Sequence, residues 1–112
     1  MEEITARNTT EWEHWLERHH EQVDEVWIRV GKKASGIESV QPEEATEIAL
    51  CFGWIDSHRR AGDESTYLQR YSPRRRGSNW SARNIAVAER LIAEGRMRPA
   101  GMETYRRHTP QD

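Results

Sequence analysis

Asp56 and His58 stand two apart in the run Trp54-Ile55-Asp56-Ser57-His58-Arg59-Arg60. On a strand they share a face, and together they form a candidate acid–base pair, with His58 titrating near neutrality as the base and Asp56 orienting it. The structural alternative is a cross-strand charge pair, in which Asp56 lies opposite Gln69 or Arg70 according to the hairpin register and Arg70 neutralises it. Covalent catalysis is disfavoured. Ser57 points to the other face of the strand, and neither Ser57 nor Cys51 sits in a Gly-x-Ser-x-Gly elbow. The second chemical signal is the basic loop from Pro73 to Trp80. Arg74, Arg75 and Arg76 precede a helix start whose amides and dipole favour an anion, and Ser78, Ser81 and Asn84 add neutral donors. With Arg70 these residues make a candidate anion-binding patch, and Trp80 is available to stack on a ring. The alternative has Ser81 as a plain cap, Trp80 as a core anchor and the arginines paired to carboxylates elsewhere. Metal binding is not expected, because the adjacent His19 and His20 diverge on a helix and no further ligand stands at a suitable spacing from both. No cofactor is expected either: the chain has no Gly-rich strand-to-helix turn of the dinucleotide or P-loop kind.

Several elements must position these side chains. Thr10-Glu11-Trp12-Glu13 reads as a capping box, and Trp12, Trp15, Leu16 and His19 give an apolar stripe for a helix over 11–21. Val26, Ile28 and Val30 alternate with Trp27 and Arg29, which predicts a strand, and Gly31 to Ser39 reads as its end and a loop. Pro42 opens a second helix whose apolar face is Ala45, Ile48, Ala49 and Phe52, with Gly53 ending it. Two strands, 54–60 and 66–71, flank the turn residues Ala61-Gly62-Asp63-Glu64 and predict a hairpin. Ser81 caps a third helix carrying Ile85, Ala88, Leu91 and Ile92 up to Gly95. Met97, Pro99, Met102 and Tyr105 allow a short last helix before a frayed tail, 108–112. The order α-β-α-β-β-α-α predicts one α+β domain over 1–112, with an antiparallel sheet and helices packed on one side. The expected shared core is Val26, Ile28, Ile48, Phe52, Ile85, Leu91 and Ile92.

Composition sets the class. A chain of 112 residues accommodates one core, and five Trp with three Tyr argue against disorder. No apolar run approaches the ~18 to 20 residues of a membrane span, so membrane insertion is not expected. The first residues, Met1-Glu2-Glu3-Ile4, lack the basic and apolar regions of a signal peptide, and the single cysteine, Cys51, permits no internal disulfide. Both predict a cytosolic setting. The net charge of −2 conceals a division: residues 1–57 hold 5 basic against 13 acidic residues, and residues 58–112 hold 12, all Arg, against 6. Either the halves neutralise each other in the fold or the Arg excess forms an anion-binding face. The overall acidic balance, with pI near 6.2, argues against a nucleic-acid partner, which usually requires a broad basic surface.

Four blocks carry a family pattern: Cys51-Phe52-Gly53-Trp54-Ile55-Asp56-Ser57, Arg70-Tyr71-Ser72-Pro73-Arg74-Arg75, Ser78-Asn79-Trp80-Ser81-Ala82-Arg83-Asn84 and Leu91-Ile92-Ala93-Glu94-Gly95-Arg96-Met97. From about Thr10 to Gly101 the chain resembles the YdeI/OmpD-associated proteins, a branch of the YjbR/CyaY-like superfamily. The resemblance implies an antiparallel sheet covered by helices on one side. It also implies a role in bacteriocin or antimicrobial-peptide protection, or association with an outer-membrane porin. Members of that family often continue into a further helical region, whereas this chain stops eleven residues after Gly101. The expected function is therefore a small cytosolic protection-type binding module that takes a small anionic or phosphorylated ligand on Arg70, Arg74, Arg75, Ser78, Trp80, Ser81 and Asn84. The alternatives are an enzyme acting on a small anionic substrate through Asp56 and His58, and a weak nucleic-acid binder.

Overall fold

A computed structural model describes residues 2–75 and 80–108. Their elements are β1 (Glu3–Ile4), α1 (Thr9–His19), β2 (Val26–Gly31), α2 (Pro42–Cys51), β3 (Trp54–Ala61), β4 (Thr66–Pro73), α3 (Ala82–Ala93) and α4 (Pro99–His108). The fold is α+β, with four helices and one four-stranded sheet of order β1-β2-β4-β3. Two expectations are corrected here. The sheet is mixed, because β1 runs parallel to β2 with Glu3 opposite Trp27, whereas β2, β4 and β3 are antiparallel. The element order also gains that first strand. Two residues are too few to display a period of two, so β1 exists only through its pairing.

Helix starts follow local chemistry. The first helix opens earlier than the Thr10 capping box predicts: Asn8 is the N-cap, and its Oδ1 accepts the Glu11 amide at 3.0 Å. Glu13, which that box would turn back to Thr10, instead accepts from Arg98 Nη2 at 2.9 Å, and Glu11 accepts from the Arg7 amide and guanidinium. Pro42 opens α2, and Ser81 caps α3. The expected loop residues Arg76 and Ser78 lie outside the described residues. The last helix runs through His108, and the remainder of the expected tail, 109–112, also lies outside them.

One face of the sheet builds the core. Val26, Ile28, Val30, Trp54 and Tyr71 join Trp12 and Leu16 of α1, Ala45, Ile48 and Ala49 of α2, and Ala88 and Leu91 of α3 in a single buried cluster. Phe52 belongs to it, but Ile85 and Ile92 do not. The buried residues of α3 are Ala88 and Leu91, with the half-buried Val87 packed against the cluster and the two isoleucines half-buried outside it. Trp12 is fully buried and donates from Nε1 to the Ala45 carbonyl at 2.9 Å, which fixes α1 against α2. Trp27 and Leu68 are buried outside this cluster, on the opposite face, where the Arg60 guanidinium lies 5.3 Å from the Trp27 ring. Among the described residues, no helix is long and apolar enough to cross a membrane.

Candidate functional site

The arginine patch expected from the sequence is divided among three places. Arg70 occupies the sheet face opposite the core, where its Nε donates to Glu25 at 2.6 Å and its Nη1 to Ser57 at 2.9 Å. That bond holds the Glu25 carboxyl below its ordinary range. Arg74 is buried beyond the end of β4, with its guanidinium 4.1 Å from the centroid of Trp80, and burial pulls its pKa below the usual arginine value. Trp80 meets the edge of Tyr105 and is half-buried against the core. Arg75 is exposed and Ser78 lies outside the described residues. Ser81 accepts the Asn84 amide at 3.0 Å, a cap bond, and the Asn84 side chain lines a groove of about 310 Å³ with Asp56 and Arg83. Arg74 lines a different groove, of about 700 Å³, between α1 and α4. Much of the Arg excess is committed to the acidic first half: Arg70 to Glu25, Arg90 and Arg96 to Glu47, and Arg98 to Glu13 and Glu17.

A bulge in β3 separates Asp56 from His58. Asp56 stands opposite Tyr71, and the next aligned pair is Arg59 with Gln69. Ser57 and His58 together therefore face Arg70, and the alternation that would have put His58 beside Asp56 is lost. Tyr71, not Gln69 or Arg70, is the cross-strand neighbour of Asp56. His19 and His20 are satisfied locally, each placing Nδ1 against the carbonyl four residues back, Trp15 at 2.9 Å and Leu16 at 2.7 Å. Among the described residues, no group of three or more His, Cys, Asp or Glu side chains is arranged to hold a metal. Cys51 is buried, and desolvation pushes its thiol up to about 11, far from the nucleophilic range.

The same bulge builds something else. By shifting the register one residue, it brings Arg59 onto the face of Gln69 and Tyr67. The Arg59 guanidinium lies 4.5 Å from the Tyr67 ring centroid, and its Nε donates to Gln69 Oε1 at 3.2 Å. Gln69 is itself only 4% exposed and is fixed in turn by donating to the His58 and Arg70 carbonyls at 3.1 and 3.3 Å. Arg59 thus lines, with Lys32, Lys33 and Tyr67, a groove of about 680 Å³ at the end of the sheet. The first turn of α2 closes the other side with Pro42, Glu43 and Glu44. Its N-cap, Gln41, makes no side-chain cap bond and donates instead to Ser39 and the Gly31 carbonyl. Lys32 is held over the hairpin turn, its amide on the Ser65 carbonyl at 2.8 Å and its Nζ on the Asp63 carbonyl at 3.2 Å. In the sequence this set is marked only by Lys32-Lys33 beside a Gly- and Ser-containing loop, since the bulge that aims Arg59 leaves no trace in period or composition.

Fold and groove together describe a small α+β domain with a charged cleft at one end of its sheet. The chain matches the family described as Domain of unknown function (DUF8412) over residues 4–104, and it belongs to that family. This match overturns the resemblance to the YdeI/OmpD-associated and YjbR/CyaY-like proteins, and the bacteriocin-protection and porin roles lose their basis with it. Two residues of the blocks behind that resemblance have local structural roles. Gly53 is a left-handed turn before a strand, and Ser81 is a helix cap. No curated protein and no solved structure matches the chain.

Proposed function

We propose that this chain is a binding module for small anionic or phosphorylated ligands, and that the groove at the sheet end receives the anion. Arg59 carries the reading. Its plane rests on Tyr67 and its Nε is committed to a buried glutamine, which leaves the two terminal nitrogens as a pre-oriented fork for carboxylate or phosphate. Little side-chain entropy then remains to be lost on binding. Lys32 and Lys33 add positive charge to the same cleft, and the first turn of α2 adds the positive end of its dipole. A cytosolic setting, with Cys51 kept as a buried thiol, fits this role. Catalysis through Asp56 and His58 has less support, because the bulge turns them to different faces.

The test is an amide-shift titration with inorganic phosphate at low salt. Shifts are expected at Lys32, Lys33, Arg59 and Tyr67. Hydrogen bonds to a charged group contribute ~1.5 to 3 kcal/mol, so Arg59→Ala should weaken binding roughly ten- to a hundredfold. Arg59→Lys, which keeps the charge and loses the fork, should fall between. Shifts confined to Ser81–Asn84, or none at all, would move or remove the site.

A further inference from the structure

The groove at the sheet end holds both signs of charge. Lys32, Lys33 and Arg59 come from the strand ends, and Glu43 and Glu44 from the first turn of α2. Acidic residues in a first turn serve the helix dipole, and taken alone these two would mean nothing more. Their relation to the cations across the cleft is the informative part. Facing charges in this molecule can close into ion pairs, as Arg70 does with Glu25 and Arg90 with Glu47. Among the described residues, no ion pair joins Glu43 or Glu44 to Lys32, Lys33 or Arg59, although all five line one cleft. Arg59 is held back by Gln69 and Tyr67, and Lys32 by the Asp63 carbonyl. Both signs of charge thus line one cleft, with Arg59 and Lys32 each bonded elsewhere.

A simple anion in that space gains Arg59 and the lysines but also meets two carboxylates, and the second contact erodes the first. A ligand with a carboxylate at one end and an ammonium at the other satisfies both walls. We infer that the groove takes a zwitterion of the amino-acid type, either a free amino acid or a short peptide carrying both termini. The carboxylate sits on the Arg59 fork and the ammonium against the first turn of α2, at Glu43 or Glu44. This rests on the anion-binding reading above and names its ligand class. A cleft of about 680 Å³ falls within the ~300 to 1,000 Å³ usual for ligands larger than one amino acid, which favours a dipeptide over a single residue.

Isothermal titration of the full chain with alanyl-alanine, its N-acetyl form, its C-terminal amide, free alanine and inorganic phosphate tests this. Alanyl-alanine is expected to bind at least tenfold more tightly than either blocked form. Glu43→Gln with Glu44→Gln should abolish the advantage of the dipeptide over its N-acetyl form while phosphate binds as well as before or better, which also shows that the variant is folded. Free alanine binding as tightly as the dipeptide would assign the ligand to the free amino acid. If the N-acetyl form binds as tightly as the dipeptide, the zwitterion inference is overturned and the anion reading stands. If neither phosphate nor any of the carboxylates binds, both fall.

Discussion

Among the described residues, three glycines have nearly the same left-handed backbone, Gly36 at φ +76°, Gly53 at +78° and Gly95 at +72°, yet only one of these three is crowded. A Cβ added at Gly53 would lie 2.6 Å from Thr104 Oγ1 and 3.0 Å from the Ala100 carbonyl oxygen, whereas at Gly36 or Gly95 it would meet nothing within 4 Å. Alanine in the left-handed region costs ~1 to 2 kcal/mol, and this is partly offset by ~0.4 to 1 kcal/mol from the reduced entropy of the unfolded chain. Gly36→Ala and Gly95→Ala should therefore lower stability by about 0 to 1.6 kcal/mol. Gly53→Ala carries the same net backbone cost plus the ~1 to 3 kcal/mol of forcing a methyl group into packed atoms, for a total of about 1 to 4.6 kcal/mol. The difference between the Gly53 and Gly95 variants isolates the docking of α4 on the α2–β3 turn. Urea unfolding followed by tryptophan fluorescence measures it, with the slope against denaturant checked for constancy. In a Thr104→Ala background the nearer contact is gone, so the Gly53→Ala cost should shrink by at least ~0.5 kcal/mol, the scale of coupling between touching residues. Equal losses for Gly53→Ala and Gly95→Ala, with no coupling to Thr104, would refute the reasoning.

Burial that pushes Cys51 up to about 11 should make the native thiol almost inert to a thiol reagent at pH 8 and fully reactive in denaturant; because the folded-state value is raised, stability should fall as pH climbs above the ordinary thiol range, and a rising stability there would contradict it. At the other end of the scale, Asp63 is held low by the Ser65 and Thr66 amides and Glu25 by Arg70, so the stability they contribute is present above the ordinary carboxylate range and lost as pH falls through their depressed values. Asp63→Asn keeps the acceptor oxygen and removes the titration, so its acid unfolding curve should be shallower than that of the parent. Ser81→Ala should cost ~1 kcal/mol by removing the α3 cap, with faster amide exchange at 82–85 and no change in phosphate binding at the sheet end.

What the chain's own order of residues determined was the local part of the structure. Pro42 could open α2 and Ser81 could cap α3 because those signals lie within one helical turn. The alternation of Val26, Ile28 and Val30 names the buried face of β2 without reference to any partner. The hairpin turn is equally local, with Asp63 Oδ1 accepting from the amides two and three residues ahead. Tertiary structure decided the rest. A two-residue strand such as β1 has no signature apart from the Trp27–Ile28 segment that pairs with it. Whether the arginines of the second half form a patch or are neutralised by the acidic first half stays open in the sequence until Glu13, Glu17, Glu25 and Glu47, 43 to 85 residues away in the chain, arrive beside four of them. The bulge at Ser57–His58 decides the most. An unbroken register would set His58 opposite Gln69; the inserted residue gives that place to Arg59, and a side chain that composition marks as ordinary surface charge becomes the fixed wall of a cleft. Period and propensity describe each segment alone, whereas register, ion pairing and clefts are properties of two or more segments packed together, with energies that do not exist until they meet.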